Sequence, residues 1–162
     1  MTHITNIISP ACRKRLNMQG YQRYSDSELN EYKYGLRFAY LLCTTLVVIG
    51  HVLNSIALLA GISVVAFAAM FPPYHPFDYL YNYAIRYIIQ KPKIPPRTNQ
   101  GRFACGIAFV WLAFTIYFLN SNFLLAGYIA GGMLVLVGAI VSIMDICIPS
   151  MIYNFLFRNR KQ

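Results

Sequence analysis

Acidic residues are scarce in this chain: five Asp and Glu stand against fourteen Lys and Arg, and only Asp145 lies inside an apolar run. Charge of either sign is thin, at 12% of the 162 residues, while 57% are hydrophobic. With a mean hydropathy of +0.47, that balance excludes an ordinary soluble domain. No phosphate-cradling glycine loop, nucleophile elbow, metalloprotease helix or cluster of acids is present, so no pattern points to an enzyme. The four cysteines, Cys12, Cys43, Cys105 and Cys147, never form a closely spaced pair, which argues against a disulfide framework and against a closed zinc site with its four ligands. No cleavable leader is expected either, because roughly thirty mostly polar residues precede the first apolar run, and the first span is therefore expected to stay in the mature chain.

What the sequence does contain is an internal repeat. The nine residues Leu53 to Gly61 return as Leu119 to Gly127, an offset of 66 with seven identities. Arg37-Phe38-Ala39 and Arg102-Phe103-Ala104 stand almost equally far upstream of the two copies. Each unit therefore reads as a basic-aromatic start, an apolar run, a Leu-Asn-Ser break and a second apolar run, which is one helical hairpin. Two such hairpins in tandem make parallel rather than inverted halves. The expected fold is all-α: an integral membrane four-helix bundle of two parallel hairpin repeats with an amphipathic interfacial helix between them.

The basic residues sit only at the ends of the apolar runs. Arg13, Lys14, Arg15, Arg23, Lys33 and Arg37 precede the first; Arg86, Lys91, Lys93, Arg97 and Arg102 fill the central connection; Arg158, Arg160 and Lys161 follow the last. This predicts that both termini and the central connection lie in the cytoplasm, with the two short breaks outside. The net charge of +9 thus serves topology and attraction to anionic lipid at the cytoplasmic face, and nucleic acid is not the expected partner.

In chain order, residues 1–24 read as an irregular cytoplasmic arm, because Ser9-Pro10 disfavours a helix across that point. Ser25 with Glu28 three residues on forms a capping box, which predicts a helix starting near Asp26 and running into the membrane. The first hairpin, 25–71, has spans at about 36–52 and 56–71 with Asn54 or Ser55 capping the second. The second hairpin, 102–157, has spans at about 103–119 and 123–148, and 158–162 is a basic tail. Spans of sixteen or seventeen residues lie at the short limit for a hydrocarbon core of about 30 Å.

Between the hairpins, 72–101, Pro72, Pro73 and Pro76 close span two and seed a helix. From Phe77 to Gln90 the polar residues Asp78, Asn82, Arg86 and Gln90 recur every fourth position, which predicts an amphipathic interfacial helix. Tyr79, Tyr83 and Tyr87, with Arg86, suit a lipid- or partner-facing surface at that depth. A basic, proline-rich return follows from Lys91 to Arg97.

Four further sets of residues are candidates for a role. Gly127 with Gly131 in span four, and Ala57 with Gly61 in span two, are small pairs that let helix backbones approach closely, and spans two and four are expected to meet there. Asp145 is the intramembrane acid; a structural ion pair with Arg37 or Arg102 is the expected role, a proton- or ion-handling one the alternative. Cys147 and Cys105 fall near one membrane face and form a candidate thiol site, with small apolar packing as the competing reading. His3, His51 and His75 are not spaced to share a metal, so cap or interface roles are expected, and no cofactor or metal is called.

With the segment Pro73-Tyr74-His75-Pro76-Phe77, the Lys-Pro-rich return, Arg102-Phe103-Ala104 and the ending from Cys147 to Tyr153, the chain resembles a bacterial domain-of-unknown-function family of small four-span integral membrane proteins. The resemblance covers residues 30 to 157 through a series of short motifs in order. Members typically end span four with Cys-x-x-Cys before a Lys/Arg-Ile-Tyr-like segment and carry a Cys-Pro pair ahead of span one. This sequence keeps Cys147 and Ile152-Tyr153, has Ser150 at the second cysteine, and lacks the Cys-Pro pair. The resemblance implies thioredoxin- or rhodanese-like partners, a link loosened here because the resolving thiol is missing.

The function expected from these readings is a non-catalytic accessory or structural subunit of a larger membrane complex, with other integral membrane subunits as partners. The alternatives are a thiol-linked protein working with a soluble redox or sulfur carrier through Cys147, and a small-solute transporter, for which no central polar path is visible.

Overall fold

The structure, a computed structural model, describes residues 8–157; His3 and the tail residues Arg158, Arg160 and Lys161 fall outside them. The described residues are helical with no strand: α1 Pro10–Met18, α2 Asp26–Val52, α3 Ile56–Ala68, α4 Pro76–Leu80, a π-helical turn Tyr81–Ile85, α5 Arg86–Ile88, α6 Asn99–Asn120, α7 Leu124–Met144 and α8 Ile148–Phe157. Three of these, α2, α6 and α7, are long and apolar enough to cross a membrane, whereas α3 has thirteen residues.

Four long or apolar helices carry the packing. α2 lies against α3 and α7, and α6 lies against the same two, so α3 and α7 sit diagonally across from each other. That arrangement overturns the expected seam between spans two and four. Gly61 faces open space, whereas a Cβ at Gly127 would meet Leu119 of α6 and one at Gly131 would strike the His51 ring of α2. Two turns along α7, a Cβ at Gly138 would strike Thr44, so the close seam runs between α2 and α7. The Gly-x-x-x-Gly pair contributes one residue to each of two different contacts, and Ala57 is exposed.

The helix ends follow local chemistry. Ser25 and Glu28 form the expected capping box, and α2 runs unbroken from Asp26 into the apolar stretch. Asn54 and Asn122 both take left-handed backbone (φ 48° and 61°), a conformation asparagine tolerates better than most residues. The sequence repeat aligns Asn54 with Asn120, yet Asn120 is the last residue of α6 and the left-handed turn comes two residues later. Ser55 caps α3 by accepting the Leu58 N–H, and no side chain caps α7. The two breaks therefore share residues more closely than they share backbone geometry.

Three sequence expectations give way. The N-terminal arm contains a helix, because Ser9 caps it by accepting the Cys12 N–H and Pro10 occupies the first turn, where a missing N–H costs nothing. The helix expected as span four ends at Met144 rather than near Ile148: Asp145 adopts left-handed backbone (φ 57°), and a separate helix, α8, begins three residues later. A helix does form where the interfacial one is expected, but it is broken by the π turn, and the first half of its polar stripe, Asp78 and Asn82, points inward while Gln90 stays exposed.

Candidate functional site

Asp78 and Asn82, the first two residues of that stripe, are buried because they hold the return segment. The Asn82 side-chain oxygen accepts the Ile94 N–H at 3.0 Å, seating Ile94 in a core with Leu16, Leu29, Leu36 and Tyr81. Asp78 forms a two-pronged ion pair with Arg97, whose Nε donates to Oδ2 at 2.7 Å and Nη2 to Oδ1 at 2.6 Å. Their side chains are 0% and 4% exposed. The guanidinium also lies 4.6 Å over the Tyr40 ring of α2, and the Arg97 N–H donates to the Pro73 carbonyl. The basic return is thus an internal strap and not a free cationic loop. A buried pair of this kind is sustained only by close geometry, which the two parallel hydrogen bonds and the Tyr40 ring supply here.

His75 precedes α4 and caps it. Its backbone N–H donates to Asp78 Oδ2 at 3.0 Å and its Nδ1 accepts the Phe77 N–H at 3.1 Å. Accepting at Nδ1 assigns the ring proton to Nε2, which faces Cys43 Sγ at 3.8 Å. Burial, with the Arg97 cation nearby, lowers the His75 pKa to about 4, so the ring is neutral at physiological pH. With one nitrogen accepting and the other protonated, the ring offers no lone pair to a metal as it stands. Among the described residues no group of three or more His, Cys, Asp or Glu could hold a metal ion.

Beside His75 lies a cavity of about 180 Å³ among α2, α3, α6, α7 and the start of α8. Cys43, Cys105 and Cys147 all line it, each from a different part of the fold. The expected neighbours Cys105 and Cys147 thus share one space, and Cys43 joins them unforeseen. All four cysteines are free thiols. Cys147 precedes the first residue of α8, and its carbonyl accepts the Met151 N–H at 3.2 Å. Burial pushes its thiol up, while the hydroxyl and N–H of Ser150 pull the other way.

Asp145 knots the arm to the rest. Its carboxylate pairs with Arg37 through both oxygens and accepts from Cys12 Sγ at 3.5 Å. The Asp145 carbonyl accepts Gln19 Nε2 at 2.7 Å, and Arg15 donates to the Met144 carbonyl. Arg102, the other candidate partner, instead donates to the carbonyls of Met70 and Phe71 beyond the end of α3. Asn154 of α8 reaches the Met18 carbonyl at 2.6 Å, so the arm is tied at both ends of α1.

The family model described as a domain of unknown function (DUF4395) matches residues 33–158. The chain belongs to this family. Comparison with curated proteins and with solved structures gives no match. The DUF4395 segment begins within α2 and holds the Asp78–Arg97 pair, His75, the three cavity thiols and Asp145; α1, with Cys12 and Gln19, precedes it.

On the outside of the DUF4395 segment, the interfacial helix presents aromatics. Tyr79, Tyr83 and Tyr87 are exposed, and the first two rings stack nearly parallel, 6.4 Å apart. Arg86 folds over Tyr87, its Nη2 donating to the phenol oxygen at 2.7 Å. The residue pattern marks these positions but not the buried pair behind them. The signal was available: a lone acid three residues after His75, in the first turn of an aromatic-rich helix, needs a cation, and Arg97 lies on the only strap able to deliver one.

Proposed function

We propose that this DUF4395 protein is a four-span integral membrane protein of the bacterial inner membrane that acts as a non-catalytic accessory subunit of a larger membrane complex. In this reading α2 and α3 form one hairpin and α6 and α7 the other. α3 spans about 20 Å at 1.5 Å per residue, so its crossing relies on the turn at Ser55 and on Ala69 to Phe71 reaching the polar margins. An even number of crossings puts α1, the strap and α8 on one face, the cytoplasmic one by the distribution of basic residues.

The observation that carries the subunit role is the inverted interfacial helix. Its first two polar residues, Asp78 and Asn82, are consumed internally by Arg97 and Ile94, and its exposed surface carries the row of Tyr79, Tyr83 and Tyr87. Aromatic rings of this kind are the usual anchors of a protein interface. The test is mild-detergent extraction of the tagged full-length protein with native mass determination. Stoichiometric membrane partners, lost on combined Tyr79→Ala, Tyr83→Ala and Tyr87→Ala, support the role; partner-free protein with an unaltered triple variant counts against it.

A second reading is favoured by the Cys147 geometry. A thiol before the first turn of a helix, beside Ser150 and with two more thiols lining the same cavity, suits a carrier-linked sulfur site. Its raised thiol pKa opposes that role at rest. Cys147→Ser abolishing the protein's effect in cells supports this reading, and an unchanged phenotype rejects it.

A further inference from the structure

A groove of about 960 Å³ runs along the outer face of α6, walled by α3 on one side and α7 on the other. Phe103, Gly106, Val110 and Phe114 give its length along α6; eleven residues at 1.5 Å each make about 16 Å, the depth of one leaflet of a hydrocarbon core of about 30 Å. Gly106 and Ala130 keep the channel open, and a Cβ at Gly106 would reach only the mobile end of Met70, at 3.1 Å. At the Phe103 end stands Arg102. Its Nε and Nη2 donate to the carbonyls of Met70 and Phe71 at 2.8 and 2.5 Å, which fixes the guanidinium in place. Nη1 has no partner among the described residues, and its two N–H groups are available to an acceptor.

We propose that this groove holds one acyl chain of an anionic phospholipid, with Arg102 engaging the headgroup phosphate. The inference rests on the membrane-embedded reading above. An apolar trough one leaflet deep takes a single chain, and a guanidinium already fixed by two carbonyls loses little freedom on binding phosphate. The charge at the rim selects an anionic headgroup over a neutral one.

The experiment begins with carbonate extraction of membranes carrying the full-length protein. Release of the chain would overturn the membrane reading and this inference with it. Retained protein is then purified, stripped of lipid in mild detergent and offered phosphatidylglycerol or phosphatidylcholine with identical chains, with bound lipid counted by native mass spectrometry. We expect one retained lipid, with phosphatidylglycerol preferred about fivefold. Arg102→Gln should remove the preference and leave chain retention. Gly106→Leu, and separately Val110→Trp, should abolish retention of both lipids. Equal binding of the two lipids, a preference that survives Arg102→Gln, or retention that survives both filling variants would overturn the lipid site while leaving the membrane reading intact. Capture of a second protein helix by a photocrosslinker at Val110 would overturn it too.

Discussion

Breaking the Asp78–Arg97 pair tests whether the strap is held as described. Both side chains are under 5% exposed, the two hydrogen bonds are 2.6 and 2.7 Å long, and Asp78 also accepts the His75 N–H. Asp78→Ala leaves a guanidinium buried without a counter-charge, a change that costs about 3–5 kcal/mol in comparable sites. Arg97→Ala strands the carboxylate at a similar cost. Replacing both, as Asp78→Leu with Arg97→Met, removes the two charges together and is expected within about 2 kcal/mol of the native protein, part of that loss being the stacking on Tyr40. The assay is denaturant unfolding in mild detergent, followed by the fluorescence of Trp111, the single tryptophan. A single-variant cost below about 1 kcal/mol, or a double variant as unstable as the sum of the singles, would refute the argument.

Three further outcomes follow from the packing and charge placement. Gly131→Leu drives a side chain into His51 across the α2–α7 seam and should cost about 1–3 kcal/mol or more, whereas Gly61→Leu, facing open space, should change stability by no more than about 0.5 kcal/mol; the same unfolding assay separates them. His75 has its pKa lowered from 6.5 to about 4, so the unfolded chain takes up a proton first as pH falls. Stability should be full above pH 6.5 and drop by about 3 kcal/mol between pH 6.5 and 4, and His75→Gln should flatten that window. Asp145→Asn keeps a residue suited to left-handed backbone but removes the charge facing Arg37 and Cys12; as Arg37 is partly exposed, the cost is about 1 kcal/mol, read as faster proteolysis within α1.

Much of the architecture could be read from residue spacing. The Ser25–Glu28 box fixed the start of α2, the Leu-Asn-Ser breaks located both turns, and the proline cluster announced the interfacial helix. What periodicity could not convey was direction. Asp78, Asn82 and Arg86 recur every fourth residue whether that stripe meets water or a buried strap, and only the placement of Arg97 and Ile94 decides. The end of α7 was hidden for a similar reason: Asp145 stops it where Arg37, Cys12 and Gln19 converge from more than a hundred residues away. Small residues were equally ambiguous. Gly127 and Gly131 marked close approach correctly, but a sequence carries no information on which neighbour approaches, and the answer was Leu119 for one and His51 for the other. Of the thiols, Cys43 has no cysteine or histidine close to it in sequence, and only the connection after α3 brings His75 to it.

The most direct test of the subunit proposal is the composition of the particle released by mild detergent from membranes carrying the tagged full-length chain. A complex is expected in which this protein and membrane partner proteins occur in fixed ratio, dispersing when Tyr79, Tyr83 and Tyr87 are replaced together by alanine. A single species with the mass of this chain alone, or of copies of it, unaffected by those replacements, would contradict it.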